Sequence, residues 1–146
     1  MGGCILLVED RDEDIEGALR SFKRARIFNE IVVKRDAAAA LDFLKGLPDC
    51  SNESEGVVPA MILLDGGRPS ANAIELLEKI RSIGGLHHVP IVVLTSAQAE
   101  NDLDAWYERG ASSCVRKQAA FGDIAALIRR VGLSLFLTQE IPPHGD

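Results

Sequence analysis

Acidic, hydroxyl and basic residues directly follow four short apolar runs in this chain. The runs span residues 4–8, 60–64, 89–94 and 114–115. The polar residues that follow them are, in chain order, Glu9 and Asp10, Asp65, Thr95, and Arg116 with Lys117. If the runs are parallel strands, their carboxyl ends share one edge of a sheet, where ligands bind in α/β folds. Carboxylates, a hydroxyl and a lysine at one edge indicate a site for a divalent cation and a phosphoryl group.

The elements that carry these runs alternate between strand and helix. The sequence predicts strands at 4–8, 30–35, 60–65, 89–95 and 113–116. It predicts helices at 12–26, 37–46, 72–83, 98–109 and 120–133, in which apolar residues recur at helical spacing. Five strand–helix units with short connections and right-handed crossovers predict a parallel sheet covered by helices on both faces.

Local signals mark where several of these elements begin and end. Asp36 is predicted to cap the helix at 37–46, which Gly46 closes, and Gly110 is predicted to be the C-cap of the helix at 98–109. Residues 47–59 are polar and turn-rich and are expected to form a surface loop.

Composition favours one soluble domain and excludes several classes of protein. The 146 residues are 47% hydrophobic and carry a net charge of −6, which argues against nucleic-acid binding. No apolar run approaches the roughly 20 residues of a membrane span, and the N-terminus lacks the pattern of a signal peptide. Three widely spaced cysteines predict free thiols, which fits the cytoplasm.

Glu9–Asp10, Asp65, Thr95 and Lys117, each at the expected strand end, resemble the receiver domain of two-component response regulators. The resemblance covers about residues 4–133 and implies a flavodoxin-like (βα)5 fold with strand order 2-1-3-4-5. The segments ILLVED, ARIFNE and ALDFL, the insertion at 47–59 and the apolar tail are similar to those of stand-alone regulators paired with phytochrome-type histidine kinases.

The resemblance implies a role for each residue of the site. Asp10 and Asp65 side chains and the Gly67 backbone carbonyl would bind Mg²⁺, with Glu9 helping through water. Asp65 would accept the phosphoryl group from a histidine kinase, for example a bacteriophytochrome. Lys117 would neutralise phosphoryl oxygens, and the Thr95 hydroxyl would bond one of them. Such a protein is a phosphoacceptor that catalyses only its own phosphotransfer and dephosphorylation.

The sequence departs from the family pattern at several positions. They are Gly66–Gly67 in place of a bulky and a polar residue, Asn72–Ala73 in place of Asp–Gly, Gln118 in place of proline, and Cys114 in place of a switching Tyr or Phe. Without that aromatic residue, the usual coupling between hydroxyl and aromatic ring cannot operate in its usual form. A phosphorylation-independent pseudo-receiver that acts as a protein-interaction module is therefore the alternative function.

Other interpretations of the same residues remain open at this point. Asp10 and Thr95 or Ser96 could cap the helices that follow them, Asp65 could be a turn residue, and Lys117 a solvated strand end. An aspartate-dependent phosphatase would need a second aspartate where Gly67 stands. A flavin protein would need a phosphate-binding loop after the first strand, where this chain has acids.

The C-terminal residues 134–146 lie beyond the five strand–helix units, which occupy residues 1–133. The tail contains Leu135, Phe136 and Leu137, followed by Ile141, Pro142 and Pro143. It could fold back on its own domain or cover a second subunit. The resemblance favours the second arrangement, a homodimer with two-fold symmetry in which this arm is the dimerisation element.

Overall fold

The computed structural model describes residues 3–47, 59–67, 71–84, 86, 88–95 and 100–116. Strands and helices alternate within these ranges, as predicted. The elements are β1 (Ile5–Val8), α1 (Asp12–Arg24), β2 (Ile31–Lys34), α2 (Ala37–Lys45), β3 (Met61–Gly67), α3 (Ala71–Ser82), β4 (Ile91–Thr95), α4 (Glu100–Glu108) and β5 (Ser113–Arg116). The predicted helix 120–133, the arm 134–146 and residues 48–58 of the loop lie outside the described residues. None of the described helices is long and apolar enough to cross a membrane.

The five strands form one parallel sheet in the order β2-β1-β3-β4-β5, which confirms the predicted topology. β1 lies between β2 and β3, and Val8 is the register partner of both Lys34 and Leu64. Residues 5–8, 61–64 and 91–94 are all buried, as expected for strands covered on both faces. The parallel arrangement brings the carboxyl ends of all five strands to one edge.

Alternating side chains of the strands enter two apolar clusters, one on each face of the sheet. In one cluster, α1 contributes Ile15, Ala18 and Phe22. These side chains pack against the odd-numbered residues of β1 and β3 and the even-numbered residues of β4. The other packs α2, α3 and α4 against the opposite positions of the same strands. Helices therefore cover both faces of the sheet, as predicted, and burial of each large apolar side chain stabilises the fold by about 1.5–3 kcal/mol.

Trp106 of α4 is the largest fully buried side chain. It belongs to the same apolar cluster as Leu77 of α3 and Cys114 of β5. Within the described part of the chain, its indole Nε1 has no hydrogen-bond acceptor. An unsatisfied buried donor costs about 1–3 kcal/mol, so the apolar packing of the ring must outweigh that cost.

Helix ends follow the predicted signals at Asp36 and Gly110. Asp36 caps α2 by accepting a hydrogen bond from the Ala39 N–H at 2.7 Å. Gly110 follows α4 with φ of 115°, a conformation that favours glycine. Gly46 ends α2 in a right-handed conformation, and its N–H donates to the Asp42 carbonyl.

The end of α1 carries an arginine where glycine is usual. Arg26 has φ of 61°, and its N–H donates to the Lys23 carbonyl at 3.0 Å. The next N–H, that of Ile27, donates to the Phe22 carbonyl at 2.9 Å, and both side chains are buried in the same cluster. These two bonds and the apolar contact define a Schellman motif, whose left-handed position costs a residue with a side chain about 1–2 kcal/mol.

Arg81 of α3 ties together the loops at the amino ends of β4 and β5. Its Nε donates to the Gly110 carbonyl at 2.8 Å, and its Nη1 donates to the carbonyls of Val89 at 2.6 Å and Leu86 at 3.2 Å. Nη2 lies 3.1 Å from the Ser112 Oγ, which also accepts the Ile91 N–H. Partial burial lowers the pKa of the guanidinium.

The third strand is longer than predicted. The sequence predicts that it ends at Asp65, but β3 continues through Gly66 to Gly67. The extension forms because Gly67 pairs with Thr95 of β4. Two adjacent glycines are typical of a turn, so their pairing with a neighbouring strand is not visible in local sequence.

Candidate functional site

Three carboxylates converge at the carboxyl edge of the sheet. One oxygen each from Glu9, Asp10 and Asp65 lies within 4.8 Å of the other two. Glu9 is only 3% exposed, Asp65 is partly buried and Asp10 is exposed. The cluster therefore has one side against the protein interior and one side open to solvent.

Strand pairing explains why Glu9 and Asp65 meet. Val8 and Leu64 are register partners. Glu9 is the residue after Val8, the last residue of β1, and Asp65 is the residue after Leu64 within β3. The Glu9 N–H also donates to the Lys34 carbonyl at 3.0 Å, so the main chain is held by the strand on its other side. The sheet itself thus positions both carboxylates.

Two of the simpler interpretations of these acids are wrong. The N-cap of α1 is Arg11, with φ of −102° and ψ of 124°, so Asp10 precedes the cap instead of forming it. Asp65 lies inside β3 and pairs with Leu94, so it is not a turn residue. Neither position is explained by a helix cap or a turn.

A register irregularity in β3 lies beside the cluster. Asp65 pairs with Leu94 and Gly67 pairs with Thr95, so two steps along β3 correspond to one step along β4. Gly66 is the additional residue, as in a β-bulge, a feature that bends a strand and redirects side chains next to functional sites. The irregularity places the Gly67 main chain opposite Thr95.

The remaining predicted site residues are only partly described. Thr95 ends β4, and its register partner on β5 is Arg116, the residue that precedes Lys117 in the chain. The Thr95 main chain therefore lies at the same edge as the carboxylates. Its side chain lies outside the described residues, as do Ser96, Lys117 and Gln118. The roles of the Thr95 hydroxyl and of Lys117 stay predictions.

The donor chemistry of the cluster fits a hard divalent cation. Two full charges 4.8 Å apart repel by about 3.5 kcal/mol at an effective dielectric constant near 20. A divalent cation between them would turn that repulsion into attraction. Oxygen donors with no sulfur or imidazole in the group are typical of sites for Mg²⁺ or Mn²⁺.

Arg35 is a basic residue of this edge that is not among the predicted site residues. It follows β2, and its Nη2 donates to the Asp12 Oδ1 at 2.5 Å, while Nη1 lies 3.4 Å from the Asp10 carbonyl oxygen. The available signal was its position at a strand end, immediately before the Asp36 helix cap. The predicted site residues all come from the other four strand ends.

Cys114 occupies a buried position on β5. It is 5% exposed, and burial raises the pKa of its thiol to about 12. The thiol therefore remains protonated and acts as a small apolar group. As predicted, neither Cys114 nor Cys4 is in a disulfide within the described ranges. The Cys114 N–H donates to the Tyr107 Oη of α4 at 3.1 Å, which links that helix to the edge strand.

Comparison with known proteins agrees with this geometry. A family model described as response regulator receiver domain matches residues 5–129. Probable methanogenesis regulatory protein FilR2 of Methanothrix harundinacea is 32% identical over 127 residues, which is 87% of this chain and 79% of that protein.

Two similar proteins also have solved structures. Response regulator Rcp1 of Synechocystis sp. is 31% identical over 138 residues. Its Mn²⁺-bound crystal structure matches with a TM-score of 0.70 and covers 94% of this chain and 99% of the other. Bacteriophytochrome response regulator RtBRR is 39% identical with a TM-score of 0.75, over 99% of this chain and 86% of the other. With its parallel sheet, its acidic edge and a family match over most of its length, the chain belongs to the response regulator receiver domain family.

Proposed function

We propose that the protein accepts a phosphoryl group on Asp65 from a histidine kinase, in a reaction that depends on Mg²⁺. The observation that carries this proposal is the convergence of three carboxylate oxygens within 4.8 Å in a chain of the receiver family. Asp65 is the member of the group on the central strand β3, partly buried and reachable from the open side.

The metal would be held by the side chains of Asp10 and Asp65 and by the Gly67 carbonyl, with Glu9 contributing through water. When bound, Mg²⁺ neutralises the carboxylates and provides a positive charge for the phosphoryl oxygens. The Mn²⁺-bound structure of Rcp1 supports a divalent cation in a protein with a similar chain.

In the transfer step, an Asp65 carboxylate oxygen attacks the phosphorus of the kinase phosphohistidine. The P–O bond of an acyl phosphate forms as the P–N bond breaks, and the bonding pair returns to the imidazole nitrogen. Lys117 would neutralise the phosphoryl oxygens, and the Thr95 hydroxyl would donate to one of them. Water then hydrolyses the acyl phosphate and regenerates Asp65.

The kinase that we propose is of the phytochrome type. Support comes from the 39% identity with a bacteriophytochrome response regulator. We further propose that residues 1–133 form the receiver domain and that the arm 134–146 mediates a homodimer. Light scattering on the full chain and on a chain ending at residue 133 tests the arm, because only the full chain should dimerise.

Intact-mass spectrometry after treatment with phosphoramidate, with and without Mg²⁺, tests the phosphorylation. The wild type should gain one phosphate that requires Mg²⁺, and Asp65→Asn should gain none. Asp12→Asn is the matched control, because Asp12 is a neighbouring acid outside the carboxylate group, and at saturating Mg²⁺ it should still be phosphorylated. A folded wild type that gains no phosphate from phosphoramidate or from a cognate kinase would favour the pseudo-receiver.

A further inference from the structure

Arg35 connects the end of β2 to the turn between β1 and α1. Backbone pairing between the two strands reaches the bond from the Glu9 N–H to the Lys34 carbonyl. One residue further along, the Arg35 guanidinium continues the connection through its side chain. It contacts the Asp10 carbonyl with Nη1 and the Asp12 carboxylate with Nη2.

The two contacts lie at opposite ends of the three-residue turn from Asp10 to Asp12. The contact to Asp10 is long, at 3.4 Å. It restrains the orientation of the peptide group between Asp10 and Arg11. The ion pair with Asp12 is short and keeps the guanidinium in place. A planar fork that binds both groups at once restricts the turn more than a single contact would.

Asp12 is close in sequence to the metal-binding acids but is not a member of their group. That group consists of Glu9, Asp10 and Asp65. Asp12 instead lies in the first turn of α1 and pairs with Arg35. Both partners are largely exposed, at 59% for Arg35 and 78% for Asp12, so the pair adds little to stability.

We infer that Arg35 is a positioning residue for the metal site. It holds the turn so that the Asp10 carboxylate stays close to Asp65, and it keeps the Asp12 carboxylate away from the cation. This inference rests on the proposed function, since it assigns Arg35 to the Mg²⁺ site of that reaction.

Positioning and simple electrostatics predict opposite effects when Arg35 is replaced. Loss of a positive charge near a divalent site should strengthen cation binding if charge alone matters. Loss of the fork should weaken cation binding if Arg35 orients Asp10. Arg35→Gln removes the charge, whereas Arg35→Lys keeps the charge and loses the planar fork.

The test is calorimetric titration of the full-length wild type, Arg35→Lys, Arg35→Gln and Asp12→Asn with MgCl₂. Both Arg35 variants should raise the Kd for Mg²⁺ by about three- to tenfold. Asp12→Asn should raise it less, by about two- to threefold. Phosphorylation by phosphoramidate should need more Mg²⁺ for half-maximal rate in these variants. Its rate at saturating Mg²⁺ should stay within about twofold of the wild type, because the acceptor itself is intact.

The outcomes separate this inference from the proposed function. Tighter Mg²⁺ binding by Arg35→Gln, or an unchanged Kd for Arg35→Lys, would overturn the positioning role alone. A wild type that binds no Mg²⁺ would overturn the proposed function and the inference with it. Circular dichroism of each metal-free variant establishes that it is folded. If Arg35→Gln does not fold, the Kd of Arg35→Lys decides whether Arg35 has the positioning role.

Discussion

Charged groups at the two ends of the sheet have opposite surroundings. At the carboxyl end, three carboxylates of like sign lie within 4.8 Å of one another. At the amino end, one guanidinium, that of Arg81, donates to three carbonyls and contacts a hydroxyl. The carboxylates are positioned by β1 and β3, whereas Arg81 joins the loops before β4 and β5. The first grouping brings like charges together, and in the second each contact is a favourable one between a donor and an acceptor.

The difference separates stability from function within one small domain. The Arg81 contacts join the loops before β4 and β5, so they favour the folded state without any ligand. The acidic group opposes folding of the metal-free protein, because like charges this close repel. Replacement of Arg81 and replacement of one of the carboxylates should therefore change the free energy of unfolding with opposite signs.

The largest expected effect is at the amino end. Arg81→Met should lower the free energy of unfolding by about 3 kcal/mol, since it leaves several partly buried acceptors without their donor. Chemical denaturation measures the change. The matched control is Arg109→Met, which removes an exposed ion pair with Glu78 and should cost less than about 1 kcal/mol. An equal loss of unfolding free energy in the two variants would mean that the Arg81 contacts stabilise the fold no more than an exposed ion pair does.

At the carboxyl end, Asp65→Asn should stabilise the metal-free protein. Removal of one of three like charges should raise the free energy of unfolding by about 1–2 kcal/mol in low salt, and less as salt screens the repulsion. Denaturation in EDTA at two salt concentrations measures both effects. A metal-free variant less stable than the wild type would show that the carboxylate group does not oppose folding.

A smaller gain is available at the amino end, where one residue has an unfavourable conformation. Arg26→Gly should raise the free energy of unfolding by about 0.5–1 kcal/mol, because glycine adopts the positive φ of this position without steric cost. Mg²⁺ affinity should not change, since the turn lies at the opposite end from the carboxylates. The thermal midpoint measures the effect, and a lower midpoint than wild type would contradict it.

Much of the fold could be predicted from sequence because its signals are local. The apolar runs of β1, β3 and β4 are continuous since both faces of each strand are buried, and Asp36 and Gly110 mark helix ends by their own chemistry. The end of β3 could not be predicted in this way. Gly66 and Gly67 have the composition of a turn, and only the partner strand makes them part of the sheet.

In the site, too, residues with a local sequence signal were predictable and those that depend on a distant partner were not. Glu9, Asp10 and Asp65 were predictable because each follows a buried strand, and a parallel sheet brings such positions together. Arg35 was not, because its partner Asp12 lies 23 residues away in sequence. The left-handed conformation of Arg26 was also missed, because a basic residue is common near the end of a helix.

The complete burial of Trp106 gives the protein an internal optical reporter. It is the only tryptophan of the chain, so all indole fluorescence comes from one position on α4. An indole that is shielded from water emits at shorter wavelength than one in solvent. Any event that moves α4 away from α3 and β5 would shift this emission to the red, so any movement of the helix that accompanies the proposed phosphorylation can be followed in real time without a label.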